Sequence, residues 1–106
     1  MRKARVRRGL KKVDVVLTSA RYREGGVRLA QARGFERRGD VWSDTLLYDR
    51  ETLVERLRAG ERVVVGHEGE LPGDFEIGHR VRLEGSEWLV VDGGAAVRDD
   101  LAVPLF

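Results

Sequence analysis

The 106 residues contain no cysteine. That excludes disulfides, a thiol nucleophile and any cysteine-bound metal cluster. Asparagine is absent too, and glutamine and methionine occur once each. No apolar run approaches the roughly 20 residues that a bilayer-spanning helix needs. The apolar run after the basic start is short and contains Asp14, which argues against a secretory leader. The start also lacks serine and an amphipathic stripe, which argues against an organellar leader. The expectation is a cytoplasmic protein with no membrane partner.

Missing motifs narrow the chemistry further. Ser19, Ser43 and Ser86 are the three serines. None sits in a GxSxG elbow or close in sequence to a histidine, so nucleophilic hydrolysis has no support. The pairs Gly25-Gly26 and Gly93-Gly94 do not belong to a phosphate-cradling loop that opens a helix. No residue pattern calls for a cofactor, and the chain reads as a non-catalytic module.

What is present is charge. Arginine outnumbers lysine by 17 to 3. Many ionisable and few thermolabile residues suit a thermostable protein, although a GC-rich genome would favour arginine codons as well. The net charge of +2 hides an asymmetry: residues 1–38 hold 13 Lys+Arg against 3 Asp+Glu, and residues 39–106 hold 7 against 15. Such halves suit either a polyanion partner or self-complementary assembly as a homodimer.

The clearest local structure is residues 49–60, DRETLVERLRAG. Asp49 is a good N-cap, Glu51 suits the first turn, and Arg56 and Arg58 suit the last. Tyr48 and Leu53 have the spacing of a hydrophobic staple. Leu53, Val54 and Leu57 make one narrow apolar stripe, and Gly60 can end the helix in a left-handed conformation. This predicts a helix that covers an open side of a sheet, with Arg50, Glu51, Glu55 and Arg58 exposed.

Residues 1–12 carry seven cations and no acid and read either as a mobile basic arm or as a strand end that Val6 and Leu10 anchor. Residues 13–106 read as one domain. Within it, residues 13–22 and 27–38 make a hairpin around Glu24-Gly25-Gly26. Gly34 marks a bulge or a close backbone approach. A third strand spans residues 41–48, with Trp42, Leu46 and Tyr48 on one face. After the helix, residues 61–67 form a short strand, and Pro72-Gly73 fits a type II turn. Residues 75–84 alternate, with Phe75, Ile77, Val81 and Leu83 expected on one face and a break expected, if anywhere, at Gly78. Residues 87–91 and an edge strand over 101–106 complete the set, the latter with Leu101, Val103 and Leu105 facing apolar neighbours. The expected fold is α+β and mainly β. It is a small curved sheet or partly open barrel of six to seven mostly antiparallel strands, with one helix after the third. The order of elements resembles an OB-fold. That resemblance covers topology alone and implies little about function.

Three constellations carry possible chemistry. The first is a nucleic-acid contact surface. Arg2, Lys3, Arg5, Arg7, Arg8, Lys11 and Lys12 lie on the arm, and Arg21, Arg23, Arg28, Arg33, Arg37 and Arg38 on the first hairpin. Arginine can fork two hydrogen bonds onto one phosphate. Tyr22, Phe35 and Trp42 are interleaved with these cations, as stacking on single-stranded RNA or DNA requires. The competing expectation is that the rings are core and the arginines pair with acids of the second half. The second constellation is His67 and His79 with Asp74 and neighbouring glutamates, weak candidates for metal binding or acid–base work because the spacing fits no compact motif. The third is Asp92, Asp99 and Asp100 in the last loop, where surface solvation is the expectation over cation binding.

Overall fold

Among the described residues, runs of valine and leucine between glycine turns build seven strands, and the segment with helical spacing builds a helix. The structure, a computed structural model, describes residues 5–85, 88–91 and 98–106. Arg2, Lys3, Ser86, Asp92 and the Gly93-Gly94 loop lie outside the described residues. In chain order the elements are β1 (Val15–Tyr22), β2 (Leu29–Arg38), β3 (Val41–Trp42), β4 (Leu46–Asp49), α1 (Arg50–Arg58), β5 (Val63–Glu68), β6 (Phe75–Glu84) and β7 (Trp88–Val91). A 3-10 turn, Arg8–Leu10, precedes them.

The strands form one sheet in the order β3-β2-β1-β5-β6-β7, with β4 also paired to β2. The β1–β5 pairing is parallel and the other pairings are antiparallel. The sheet curls into a half-barrel, the mainly β fold with one helix that the sequence predicts.

Alternation along the strands sorts side chains onto two faces. The inner face gathers Val15, Leu17, Ala20, Leu29, Ala32, Tyr48, Val63, Val65, Val81 and Leu89 around Leu53 of α1. The outer face has a smaller core in which Val16, Trp42, Val64 and Phe75 pack beneath Val6 and Val13. Residues 5–13 therefore lie against the domain: Val6 and Val13 are buried, and the Val6 amide donates to the Asp40 carbonyl.

The helix starts and stops as its residues dictate. The Asp49 carboxylate accepts the Thr52 amide hydrogen at 2.8 Å, and Gly60 adopts φ 86° just past the end. Leu53 is fully buried, and Val54 and Leu57 are partly so. Arg50 departs from expectation: it points inward to Asp99. On the far side of the sheet, Asp74 donates its amide to the Leu71 carbonyl across Pro72-Gly73, with Gly73 at φ 80°, as the predicted turn requires.

Three strand expectations are corrected. The stretch expected as one third strand breaks into β3 and β4. Buried Ser43 is the reason: its hydroxyl accepts the Glu36 amide hydrogen and donates to the Asp44 carbonyl. The break leaves Trp42 in the outer core and Tyr48 in the inner one. The face expected for β6 is also divided, Phe75 outside and Val81 inside, because the β5–β6 register shifts between Val64 and Gly66. Finally, residues 101–106 make bridges rather than a full edge strand. Ala20 pairs in parallel with Leu105, beyond the point where β5 leaves β1, and Leu105 is exposed while Leu101 is buried.

Asp99 contradicts the expectation of a solvated loop carboxylate. It is buried and stitches the seam of the curl. Its amide donates to the Val27 carbonyl, and the next amide, of Asp100, donates to Leu89 on β7.

Candidate nucleic-acid interface

The first hairpin places its cations by register. Ala20 and Ala32 are cross-strand partners in the inner core, so their neighbours Arg21 and Arg33 project from the outer face. A register shift between Leu17 and Ser19 sets this phase on β1. Along β2, Arg33, Phe35 and Arg37 then share the outer face. The residue opposite Arg33 on β4 is Leu47, which is 58% exposed. A Cβ on Gly34 would strike the Val16 carbonyl and Leu17, so β1 and β2 cross closely here.

The cations divide into two groups. Several are already neutralised. Arg7 pairs with Asp74, Lys11 with Asp40 at 3.9 Å and Arg38 with Glu36. Arg37 reaches Asp14 at 3.3 Å and also donates from Nε to the Val13 carbonyl. Arg28 lies over the Trp88 ring, 4.7 Å from its centroid. Among the described residues, Arg5, Arg8, Lys12, Arg21, Arg23 and Arg33 form no salt bridge, and all six are exposed.

Arg21 and Arg33 converge on one ring. Their guanidinium carbons stand 4.8 and 4.3 Å from the centroid of Phe106. The backbone anchors that ring, because Phe106 donates its amide to the Ala20 carbonyl and Ala20 donates to Pro104. Arg21 Nε also donates to the Phe106 carbonyl oxygen at 3.2 Å. Residue spacing alone gave no sign of this contact, since Phe106 is 85 and 73 positions away in the chain; the one signal was an aromatic in a short apolar C-terminal stretch.

The interleaved aromatics have other partners. Trp42 is buried at 2% exposure and packs edge-on to Phe75 with centroids 5.1 Å apart. Phe35 packs on the same Phe75 ring. Tyr22 is half-buried, and its hydroxyl accepts the Leu101 amide hydrogen at 3.0 Å. Burial is the main reason its pKa rises, partly offset by that hydrogen bond.

On the opposite side, Glu36 organises the helix. It accepts the Tyr48 hydroxyl at 3.1 Å and Arg56 at 2.9 Å. Burial alone would raise the Glu36 pKa, but the bonds from Arg38 and Tyr48 and the Arg56 charge hold it below the usual carboxylate range. The Tyr48 hydroxyl is pushed up, first by burial and then by the Glu36 charge.

His67 and His79 border one shallow cleft with Glu76, Val65 and Val103. His67 Nε2 lies 2.9 Å from Glu76 Oε2, and both side chains are exposed. Asp74 is not part of that cleft; it pairs with Arg7. Among the described residues, no group of three or more His, Asp or Glu side chains is placed to hold a metal ion. No described helix is long and apolar enough to cross a membrane.

No protein-family model matches the chain, and neither the comparison with curated proteins nor that with solved structures yields a match.

Proposed function

We propose that this chain is a small cytoplasmic, OB-like β module that binds RNA or DNA through the phosphate backbone. The observation that carries the reading is the set of exposed cations on the outer side of the sheet that form no salt bridge among the described residues. Arg5, Arg8 and Lys12 lie on the segment that packs over this face, and Arg21 and Arg33 project from it. The helix, with exposed Glu51 and Glu55, covers the inner face. A polyanion approaching the outer side meets cations that need not first give up a carboxylate partner, which lowers the desolvation and rearrangement cost of binding.

Binding by this route is governed by counterion release. Affinity should be modest, on the order of 10⁻⁴–10⁻⁶ M at physiological salt, and should fall steeply as salt rises. Phosphate contacts carry no base information, so different sequences should bind alike. Fluorescence anisotropy with single- and double-stranded oligonucleotides over a salt series tests the reading. Neutralising Arg5, Arg8 and Lys12 together should weaken binding to all sequences. Absence of binding at low salt would remove the reading.

The alternative is a protein-interaction module or homodimer. It is favoured by the pairing of Arg7, Lys11, Arg37 and Arg38 with acids of the same chain and by exposed Leu47, Leu71 and Leu105. Concentration-dependent mass in sedimentation, unaffected by oligonucleotide, would support it.

A further inference from the structure

We infer that Arg21 and Arg33 form a two-pronged fork for phosphodiester groups of a single nucleic-acid strand, with Phe106 as the positioning residue. This rests on the nucleic-acid reading and assigns it a specific subsite. Both guanidinium groups, from neighbouring strands, lie over one aromatic ring, 4.8 and 4.3 Å from its centroid. An aromatic ring attracts a cation through its quadrupole and uses none of its N–H donors. Arg21 spends Nε on the Phe106 carbonyl, which leaves its two terminal amino groups to donate.

Phosphodiester oxygens match this arrangement better than a lone carboxylate does. Each guanidinium can offer parallel donors to one phosphate, and two forks held on one ring suit the repeating anions of a strand. Exposed Leu47, the register partner of Arg33, gives an apolar surface beside the charge where a sugar or base edge can rest. By register, the acidic side chain on this face is Asp49, opposite Gln31, and its carboxylate is engaged in capping α1. Phe106 holds both long side chains before any ligand arrives, so less conformational entropy is lost on binding.

The test uses the full chain and a short mixed-sequence single-stranded oligonucleotide, with affinity measured by anisotropy across a salt series. R21A/R33A should weaken binding and make the log–log salt slope shallower by about 1.4, at roughly 0.7 per lost single-strand phosphate contact. R58A/R62A removes the same net charge from two other exposed arginines and should leave the slope unchanged. F106A should bind roughly two- to tenfold more weakly, with the wild-type slope, because the charges remain but their positions do not. F106L replaces the ring by an apolar side chain and should behave likewise, which covers the case in which F106A folds poorly. A parental slope in R21A/R33A, while the wild-type chain binds, would overturn the fork and leave the wider reading to the other cations. A similar loss in R58A/R62A would reduce the effect to net charge. Wild-type affinity in both Phe106 variants would remove the positioning role.

Discussion

Arg50 and Asp99, 49 positions apart, form a two-bonded ion pair: Nε to Oδ2 at 2.7 Å and a terminal amino group to Oδ1 at 3.2 Å. The same carboxylate accepts the amide hydrogens of Leu29 at 2.7 Å and Leu89 at 2.9 Å. One side chain therefore ties the start of α1, the start of β2 and β7 across the seam of the curl. Removing one member of a buried pair leaves the other uncompensated, which typically costs about 3–5 kcal/mol. Arg50 is 22% exposed, so D99A should lose about 3 kcal/mol, read from denaturant melts. A parental midpoint would show that the seam does not need this clamp.

The pair also sets an acid limit. Burial would raise the Asp99 pKa, but the Arg50 bonds and then the Leu29 and Leu89 amides outweigh it and hold the carboxyl below its usual range. The unfolded chain, with its carboxyl near pKa ~3.9, thus binds a proton more readily than the folded one. Stability from this group is fully present above that unfolded value and is lost as pH falls below it through the folded pKa. Melting temperature followed from pH 6 to about pH 2 should drop less steeply in D99N than in the parent. Equal slopes would assign the acid limit to other groups, Glu36 first among them.

The helix offers a graded comparison. Leu53 is fully enclosed, whereas Leu57 is only partly buried. L53A should cost about 2–5 kcal/mol, and L57A should fall below that range. Equal losses would mean that the inner face closes over both positions. At the end of the same helix, nothing lies within 4 Å of a Cβ built on Gly60, yet its φ is +86°. G60V should therefore cost about 1–2 kcal/mol, from backbone conformation alone, and a neutral G60V would mean that the turn relaxes.

The helix was legible because its determinants are local: Asp49, Leu53 and Gly60 fall within one short window and act through backbone geometry. The strands were legible as β-branched runs, but their faces were not. Ser43 breaks a strand by hydrogen-bonding Glu36 on its neighbour, and the β5–β6 register shift exchanges the faces of Phe75 and Val81. Both depend on a partner strand that the pattern of one strand does not encode. The candidate interface was legible as a charge excess, but not its division. Whether a given arginine meets Asp14, Glu36 or Phe106 is decided by contacts across 2 to 85 positions, and Asp99 looked like a solvated loop acid for the same reason.

The C-terminal segment separates stability from surface. Leu101 is fully buried in the inner core, and its own amide donates to the Tyr22 hydroxyl, while Leu105 is 73% exposed. Alternation alone would give Leu101, Val103 and Leu105 one shared face. Leu101 and Val103 do share the inner core, with Ala102 between them at a positive φ of 53°, and Leu105 alone leaves it. L101A should then lose about 2–5 kcal/mol, as an enclosed leucine does. L105A should stay within about 0.5 kcal/mol of the parent, as surface substitutions do. Ala102→Gly removes the steric cost of the left-handed conformation and should stabilise or be neutral, because its gain in the folded state opposes added freedom in the unfolded chain. Urea melts of the three variants decide the matter. If L105A destabilises as much as L101A, Leu105 is covered in solution, and a second copy of the chain is the first candidate to cover it, to be sought by sedimentation of the parent and L105A.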